Sequence, residues 1–317
     1  MGLDPDFEQI RVAADRIAPY IRRTPVLDGG DLGLCDRLLL KCENLQAIGA
    51  FKARGACNAV FALDEAVARR GVVTHSSGNH AAALARAARL RGIPAYIVMP
   101  RGAPAVKRAA VEFWGGRVEE CAPTLADRES TAARLQVETG ATLVHPYDDV
   151  EVIAGQGTAL KEFAEDHPAP EVVLVPVGGG GLLAGSALAA RQLWPGTRVI
   201  GVEPLGADDA ARSFSTRILQ KQLAPRTVAD GLRGALSERT LRLALAHVDD
   251  IVTVTEEAIV ASTRLMFERA KLVVEPSGAV PIAALLEGRV RARQVGVVIS
   301  GGNIDLERLP WCPRCNA

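Results

Sequence analysis

Short apolar runs alternate with longer alanine- and leucine-rich segments along almost the whole chain. The short runs indicate buried strands, and the longer segments, with apolar positions three and four apart, indicate helices. This alternation is typical of parallel sheets covered by helices on both faces, so we predict an α/β fold. The predicted strands are 38–41, 72–74, 95–98, 117–120, 172–177, 199–202, 251–254 and 295–299. The predicted helices include 81–91, 103–114, 125–138, 182–193 and 256–269.

Composition narrows the class of protein. With 37 basic and 37 acidic residues, the chain has no net charge that would favour nucleic acid or an anionic membrane. Its longest apolar runs have the length of strands, and residues 1–9 lack the order of a signal peptide, so we expect a cytoplasmic protein. The length of 317 residues suggests two domains, or one large α/β body with a subsidiary lobe. The segment from about 69 to 148 could close on itself as a small open sheet.

Six cysteines are scattered along the chain and form no disulfide framework. Cys312 and Cys315 have the spacing of half a metal site, but no second cysteine pair or nearby histidine completes four ligands. We interpret them as a reduced pair on a short tail. A zinc site shared between subunits and a redox pair are the alternatives.

Four consecutive glycines stand between an apolar strand and a helix: Gly178, Gly179, Gly180 and Gly181. Backbone N–H groups at the start of a helix bind anions, because the helix dipole adds partial positive charge there. Each glycine costs conformational entropy, so a purely structural turn seldom needs four. These glycines therefore predict a phosphate site. A dinucleotide site is the rival, since Gly179, Gly181 and Ala184 fit GxGxxA and Glu203 follows at a ribose-binding distance.

Three further turns carry residues suited to catalysis or binding. In AFKARGA, Lys52 stands among small and aromatic residues where an amine can lose its proton, although such a lysine is more often a surface residue. The segment SSGNH, residues 76–80, leads into an alanine-rich helix and suits a carboxylate, or is simply a helix cap. The segment SGGN, which begins at Ser300, ends the last strong strand and could be a plain turn.

Together these segments resemble the fold-type-II pyridoxal-phosphate enzymes, and most closely their serine/threonine dehydratases and serine racemases. The resemblance extends from about residue 17 to residue 303, with KCEN at 41–44, HPYD at 145–148 and IAGQGT at 153–158 as further matches. It implies a two-lobed fold like that of the tryptophan synthase β chain. Residues 1–68 and 149–317 would form the large cofactor-binding domain, and residues 69–148 a small mobile domain.

The resemblance also implies a role for each matching residue. Lys52 would form the Schiff base with pyridoxal phosphate, Phe51 would lie against the cofactor ring, and the four glycines would hold the phosphate. Asn79 would bind the ring hydroxyl, and Ser300 would face the pyridine nitrogen. The residues implied to contact the substrate are Ser76, Ser77, Asn79, His80 and Arg128. By spacing alone, Arg128 could equally be a surface charge on a helix.

The chemistry of these residue types agrees with the implied roles. A released Lys52 is placed to remove the α-proton of the substrate as a general base. A hydroxyl at Ser300 cannot stabilise a protonated pyridine as a carboxylate would, which favours prompt loss of a β-hydroxyl over transamination. Ala50 stands where the family commonly has serine, which removes one hydroxyl near Lys52 and leaves this mechanism intact.

Acidic residues follow the predicted strand 199–202 closely. Carboxylates and carbonyls at this density suit a hard divalent cation that keeps several waters, although a solvated acidic turn has the same composition. In the metal-dependent members of the resembled family, the matching stretch binds magnesium, calcium or manganese. Here it implies Glu203, Asp209 and the carbonyl of Ala207 as ligands. That role would take Glu203 away from a ribose and weaken the dinucleotide alternative.

We therefore predict a pyridoxal-phosphate-dependent dehydratase that converts L-threonine and L-serine to a 2-oxo acid and ammonia, and the resemblance implies a homodimer. The alternatives within the family are a serine racemase and a 3-hydroxyaspartate dehydratase. Tyr147 in HPYD resembles the dehydratases, whereas racemases use the hydroxyl at Ser77 as an acid or base. Arg128 could grip a second carboxylate and favour hydroxyaspartate. A dinucleotide-dependent oxidoreductase would leave the chemistry at Lys52 unexplained.

Overall fold

The fold, described from a computed structural model for residues 4–103, 105–222 and 224–312, contains two separate sheets flanked by helices. Cys315 lies outside the described residues. No helix in these ranges is long and apolar enough to cross a bilayer. The strands are β1 (Val26–Asp28), β2 (Arg37–Cys42), β3 (Val72–Thr74), β4 (Ala95–Pro100), β5 (Arg117–Cys121), β6 (Thr142–Leu143), β7 (Val172–Pro176), β8 (Arg198–Pro204), β9 (Asp250–Val254) and β10 (Gln294–Ile299).

The large sheet has the strand order β1-β2-β10-β7-β8-β9, and the small sheet has the order β5-β4-β3-β6. Only β1, which runs antiparallel to β2, departs from parallel pairing within the described strands. The prediction of parallel sheets is thus confirmed. The small sheet is built from residues inside the predicted segment 69–148, and the mobility of that segment stays a prediction.

Helices cover both sheets and account for most of the remaining described residues. Their bounds are α1 (Phe7–Ile17), α2 (Lys52–Ala62), α3 (Glu65–Ala68), α4 (Asn79–Arg91), α5 (Ala105–Phe113), α6 (Leu125–Thr139), α7 (Val150–Asp166), α8 (Gly181–Leu193), α9 (Asp209–Thr216), α10 (Glu238–His247), α11 (Glu256–Leu265) and α12 (Pro276–Leu286). Two predictions were wrong in detail. Lys52 begins a helix rather than lying in a turn, and the helix predicted for 256–269 changes at Met266 to a π-helical segment, Met266–Ala270.

The large sheet is buried on both faces, as its apolar strands require. All five residues of β7 are buried, and so are the last five of β10. On one face, Val173 and Val175 pack in a cluster with the helices α7 and α8. On the other, Leu174 belongs to a second cluster that includes the apolar residues of α12. These two layers of apolar packing set the position of the strand ends.

Glycines allow three helices of the large sheet to approach at backbone distance. A Cβ on Gly155 of α7 would lie 2.7 Å from Cα of Gly55 in α2. A Cβ on Gly157 would lie 2.8 Å from the carbonyl oxygen of Gly185 in α8. Because real Cβ atoms essentially never come this close to backbone, these positions admit no side chain. The glycines of IAGQGT are therefore explained by packing.

A buried network of charges fastens α2 to the sheet. The guanidinium of Arg54 donates to both carboxylate oxygens of Glu43, at 2.7 and 2.8 Å, and to both of Glu162, at 2.8 and 2.7 Å. Lys41 donates to Glu162 at 2.7 Å and to the carbonyl of Thr24 at 2.8 Å. Two cations and two carboxylates balance, so each buried charge has a partner. Such a network is strongly destabilised when one member is removed.

We expect Arg54→Met to lower the free energy of unfolding by about 3 to 5 kcal/mol, because it leaves two buried carboxylates with one cation. Urea unfolding of the full chain measures the change. The matched control is Arg264→Met on α11. It breaks an exposed ion pair with Glu268 and should lower the free energy of unfolding by less than about 1 kcal/mol. Equal losses in the two variants would mean that the network does not hold α2.

Candidate active site

The turns predicted to carry chemistry meet at the carboxyl ends of parallel strands, where α/β sheets bind ligands. The glycine run follows β7, and Ser300 follows β10 in the neighbouring position of the large sheet. The SSGNH segment follows β3 of the small sheet. The start of α2 is joined to the end of β10, because Phe51 donates its N–H to the carbonyl of Ser300 at 3.0 Å.

Lys52 is the first residue of α2 and is half-buried. Burial lowers the pKa of its amine from 10.5 to about 8. Its Nζ donates to the carbonyl oxygen of Pro146 at 2.6 Å and lies 5.0 Å from the ring centroid of Phe51. Such an amine is neutral in a useful fraction of molecules near neutral pH, as a nucleophile toward an aldehyde must be.

The glycine run forms a cradle at the start of α8. Gly180 has a φ of 85°, a left-handed conformation that suits glycine, and Gly181 begins the helix. A Cβ on Gly178 would lie 3.1 Å from Cα of Leu232, and one on Gly179 would overlap the ring of Tyr147. The N–H groups of Gly178, Gly179 and Gly180 make no hydrogen bond with other described residues. These free donors beside a helix N-terminus fit a phosphate group.

Asn79 begins α4 and is held by residues of the large sheet. Its Nδ2 donates to Oε1 of Glu275 at 2.8 Å, and its Oδ1 accepts from Nδ2 of Asn303 at 2.9 Å. Burial raises the pKa of Glu275 to about 8, with the charge of Asp230 adding to the shift. The side chain predicted to meet the cofactor ring is therefore fixed by Glu275, which the sequence did not single out, and by Asn303 of the SGGN segment.

The SSGNH segment presents one free hydroxyl and one constrained ring. The hydroxyl of Ser77 makes no hydrogen bond with another described residue, whereas Oγ of Ser76 accepts the N–H of Gly78 at 3.4 Å. His80 is buried, and burial holds its pKa well below 6.5. Its Nε2 lies 3.2 Å from the carbonyl oxygen of Val144 and must donate to it, which leaves Nδ1 a buried acceptor without a partner. The neutral ring thus offers a carboxylate no donor, and we expect His80 to contribute its backbone N–H.

Aromatic residues of the HPYD segment line the space between Lys52 and the glycine run. The His145 ring packs edge-on against Tyr147 with centroids 4.6 Å apart and against His75 with centroids 5.4 Å apart. Burial lowers the pKa of His145 to about 4. Its Nδ1 accepts the N–H of Asp148 at 2.9 Å, which fixes the neutral tautomer and shapes the turn. The site therefore contains neutral histidines at ordinary pH.

Arg128 lies on α6 of the small sheet near this aromatic group. Burial lowers the pKa of His75 and raises that of Tyr147, and the charges of Glu129 and Arg128 act on both pKa values in opposite directions. Nε of Arg128 donates only to the carbonyl oxygen of Thr124, at 3.4 Å. Within the described residues Arg128 forms no salt bridge, so its charge is available to a ligand. Its role as a substrate contact stays a prediction.

The predicted metal ligands surround a short turn after β8. Glu203 and Asp209 are fully buried, and burial raises the pKa of Glu203 to about 9 and that of Asp209 to about 6. Both oxygens of Glu203 accept N–H groups at the start of α9, at 3.1 and 2.9 Å. Ala207 is buried between the two acids. No cluster of three or more acidic, histidine or cysteine side chains suited to a metal occurs in the described ranges.

These contacts weaken the dinucleotide alternative. A ribose-binding acid faces the ligand cleft, whereas the carboxylate of Glu203 is fully buried and points toward the backbone N–H groups that begin α9. The glycine cradle also faces Tyr147 and the segment around Leu232, close to the turn that receives Nζ of Lys52. The phosphate cradle therefore lies near the turn that contacts Lys52, and it is not associated with Glu203 on β8.

Comparison with known proteins identifies the class. Residues 17–301 match the family described as "Pyridoxal-phosphate dependent enzyme". The β-hydroxyaspartate dehydratase of Paracoccus denitrificans (strain Pd 1222) is 47% identical over 97% of this chain and 99% of its own. The structure of maize serine racemase superposes with a TM-score of 0.93 at 44% identity, covering 96% of this chain and 95% of that chain. The threonine deaminase of "T.th." superposes with a TM-score of 0.90 at 46% identity, covering 95% and 99%.

The chain belongs to the pyridoxal-phosphate dependent enzymes of fold type II, in the group that contains ammonia-lyases and racemases. The predicted family and fold class are confirmed. The residues at the strand ends fit the cofactor, since they combine a desolvated amine, an aromatic ring and a glycine cradle with free donors. Glu275 and Asn303 were missed as site residues, although an acid inside the apolar run LVVEP is a signal for a buried functional carboxylate.

We expect Lys52→Ala to abolish the borohydride-reducible link between protein and pyridoxal phosphate, and with it turnover, because no other amine stands beside Phe51 among the described residues. Mass spectrometry after reduction measures the link. Lys161→Ala, which removes a lysine paired with Glu165 on α7, is the control and should keep both. A reduced adduct that survives in the Lys52 variant would place the Schiff base elsewhere.

Proposed function

We propose that this enzyme removes water from 3-hydroxyaspartate and releases ammonia, leaving a 2-oxo acid. The observation that carries this proposal is that Arg128, on α6, forms no salt bridge with another described residue. The 47% identity to a protein named β-hydroxyaspartate dehydratase supports the same choice. The sequence alone favours L-threonine and L-serine as substrates. The similarity to this dehydratase and the free charge of Arg128 both favour 3-hydroxyaspartate, which carries a second carboxylate.

Charge explains why Arg128 favours a dicarboxylate. Two other pairs of charged groups near the cleft are already formed, Asp148 with Arg239 at 2.8 Å and Lys107 with Asp230. A carboxylate on the substrate side chain would give Arg128 a charge-assisted hydrogen bond, whereas the methyl group of threonine would leave it unpaired. The α-carboxylate is common to all candidate substrates and cannot discriminate between them.

The chain's own groups account for the proton transfers. Pyridoxal phosphate, when bound, supplies an electron sink for the negative charge that develops at the substrate Cα. Lys52, with its pKa lowered to about 8, is able to accept the α-proton as a general base. The β-hydroxyl would then leave as water with the proton that Lys52 has accepted, and the resulting enamine would take up water to give the 2-oxo acid and ammonia.

Other residues hold the reactants. The free N–H groups of the glycine run would bind the cofactor phosphate, and Asn79 would donate to the ring oxygen. Buried Ser300 would meet the pyridine nitrogen without a charge, which limits protonation of the ring. The N-terminus of α4, with the hydroxyls of Ser76 and Ser77, would bind the α-carboxylate.

Serine racemisation is the second candidate function. The specific observation in its favour is the half-buried Ser77, whose hydroxyl makes no hydrogen bond within the described part of the chain. A hydroxyl opposite the lysine would serve as the second acid or base that racemisation needs. The likeness to maize serine racemase supports this candidate as well.

We further propose a divalent cation at Glu203, Asp209 and the carbonyl of Ala207. Glu203 and Asp209 are fully buried and form no salt bridge with described residues, so a cation would supply the positive charge that their ionised forms lack. Oδ2 of Asp209 also accepts the N–H of Leu236 at 3.3 Å, just beyond the segment whose Leu232 contacts Gly178. The cation would thus stabilise the backbone around the phosphate cradle.

Arg128→Ala should lower kcat/KM for 3-hydroxyaspartate roughly 10- to 100-fold through loss of a charge-assisted hydrogen bond, and change that for L-serine much less. Ammonia release from 3-hydroxyaspartate, L-threonine and L-serine measures the preference, and D-serine formation is followed in parallel. Arg134→Ala is the control on the same helix, because Arg134 is already paired with Glu138 and Glu119.

Two results would contradict the hydroxyaspartate proposal. If L-threonine or L-serine is the better substrate of the native enzyme and Arg128→Ala slows all substrates alike, then Arg128 does not bind a second carboxylate. If D-serine is the main product from L-serine and no ammonia comes from 3-hydroxyaspartate, then racemisation is the function.

Magnesium, calcium or manganese should raise the melting temperature of the native protein. At a cation concentration of one hundred times the dissociation constant, binding should add about 2.7 kcal/mol to the free energy of unfolding. Asp209→Asn should abolish this effect, because the site loses one of its two carboxylates. Asp208→Asn is the control, since Asp208 pairs with Arg212 and is not a proposed ligand. A melting temperature that chelator and added cations leave unchanged would refute the metal site.

A further inference from the structure

Asn303 connects two parts of the active site through one amide group. Its Nδ2 donates to the carbonyl oxygen of Ile48 at 2.8 Å and to Oδ1 of Asn79 at 2.9 Å. A main-chain carbonyl can only accept, so the atom that meets Ile48 must be the amide nitrogen of Asn303. Both hydrogens of that nitrogen are then used, and the orientation of the Asn303 amide is set by the backbone.

The same logic determines which way the amide of Asn79 points. Because Asn303 donates to it, the atom of Asn79 that faces Asn303 must be its oxygen. The nitrogen of Asn79 therefore lies on the other side, where it donates one hydrogen to Glu275 at 2.8 Å. Glu275 cannot easily shift, since its Oε1 packs where a side chain on Gly301 would stand. One N–H of Asn79 remains for the ring oxygen of the cofactor.

The carbonyl of Ile48, which begins this series of hydrogen bonds, belongs to a strained turn. Ile48 has a φ of 59°, in the left-handed region that a β-branched residue rarely adopts. The turn is closed by Asn303 and by the N–H of Gly302, which donates to the carbonyl of Gly49 at 2.9 Å. Ala50 then pairs with Gly301, and Lys52 follows. Strain of this kind persists only where surrounding contacts hold it.

We propose that Asn303 is a positioning residue that sets the donor direction of the Asn79 amide and ties it to the turn preceding Lys52. The inference rests on the cofactor roles proposed above for Asn79 and Lys52. Asn303 itself is exposed, so its replacement should leave the apolar core and the overall fold intact. We expect the replacement of Asn303 to change the reaction only through Asn79 and the turn that precedes Lys52.

The test compares Asn303→Ala and the isosteric Asn303→Asp with the native enzyme, each loaded with pyridoxal phosphate. The side-chain amide signals of Asn79 in ¹H–¹⁵N spectra should shift in both variants, because the partner of its oxygen is lost. The visible absorption band of the cofactor, followed against pH, should move in position and midpoint. We expect kcat for ammonia release to fall by about tenfold, the effect of one lost hydrogen bond, with KM nearly unchanged.

Asn44→Ala is the matched control. Asn44 also donates to a main-chain carbonyl, that of Val273 at 3.1 Å, and lies beside Gly302, but it has no hydrogen bond to Asn79. It should leave the Asn79 amide signals and the cofactor band as in the native enzyme. Unchanged amide signals and an unchanged band in both Asn303 variants would overturn the inference. Shifted amide signals with an unchanged band would uphold it, and would refute instead the proposed contact of Asn79 with the cofactor.

Discussion

The site depends first on the buried ion network of Arg54. Lys52 begins α2, and two residues later the guanidinium of Arg54 binds Glu43 at the end of β2 and Glu162 on α7. Desolvation lowers the pKa of Lys52, but a desolvated amine is useful only if it stays in one place. Four charge-assisted hydrogen bonds with fixed geometry, supported by the glycine contacts between α2 and α7, supply that rigidity.

Around the lysine, the protein has few full charges. Burial keeps His80 and His145 neutral by lowering their pKa values, and it raises the pKa of Glu275 to about 8. Against this nearly neutral background, the charges that matter are those that ligands bring and the cation of Arg128. In the proposed site, backbone N–H groups rather than lysines would bind the phosphate, which would leave the substrate carboxylates as the main partners for positive charge.

The sequence was sufficient for the parallel strands and for the order of the chemical segments, because apolar runs and glycine turns have local signatures. It did not reveal β1 or β6, which are three and two residues long and too short to show a period. It also placed Lys52 in a turn, since the glycines and small residues that let α2 contact α7 look like turn residues. Glu275 and Asn303 act through partners far away in sequence, so no local pattern could have indicated their contacts.

The proposed roles divide between the two sheets. The lysine, the phosphate cradle and Ser300 belong to the large sheet, whereas Arg128 and the SSGNH segment belong to the small one. In the proposed function, proton removal at Cα uses the first set, and recognition of the substrate uses the second. Substitutions on the small sheet can therefore change the substrate while the amine and its ion network stay intact. That relatives at 44–47% identity are named a dehydratase, a racemase and a deaminase is the expected consequence.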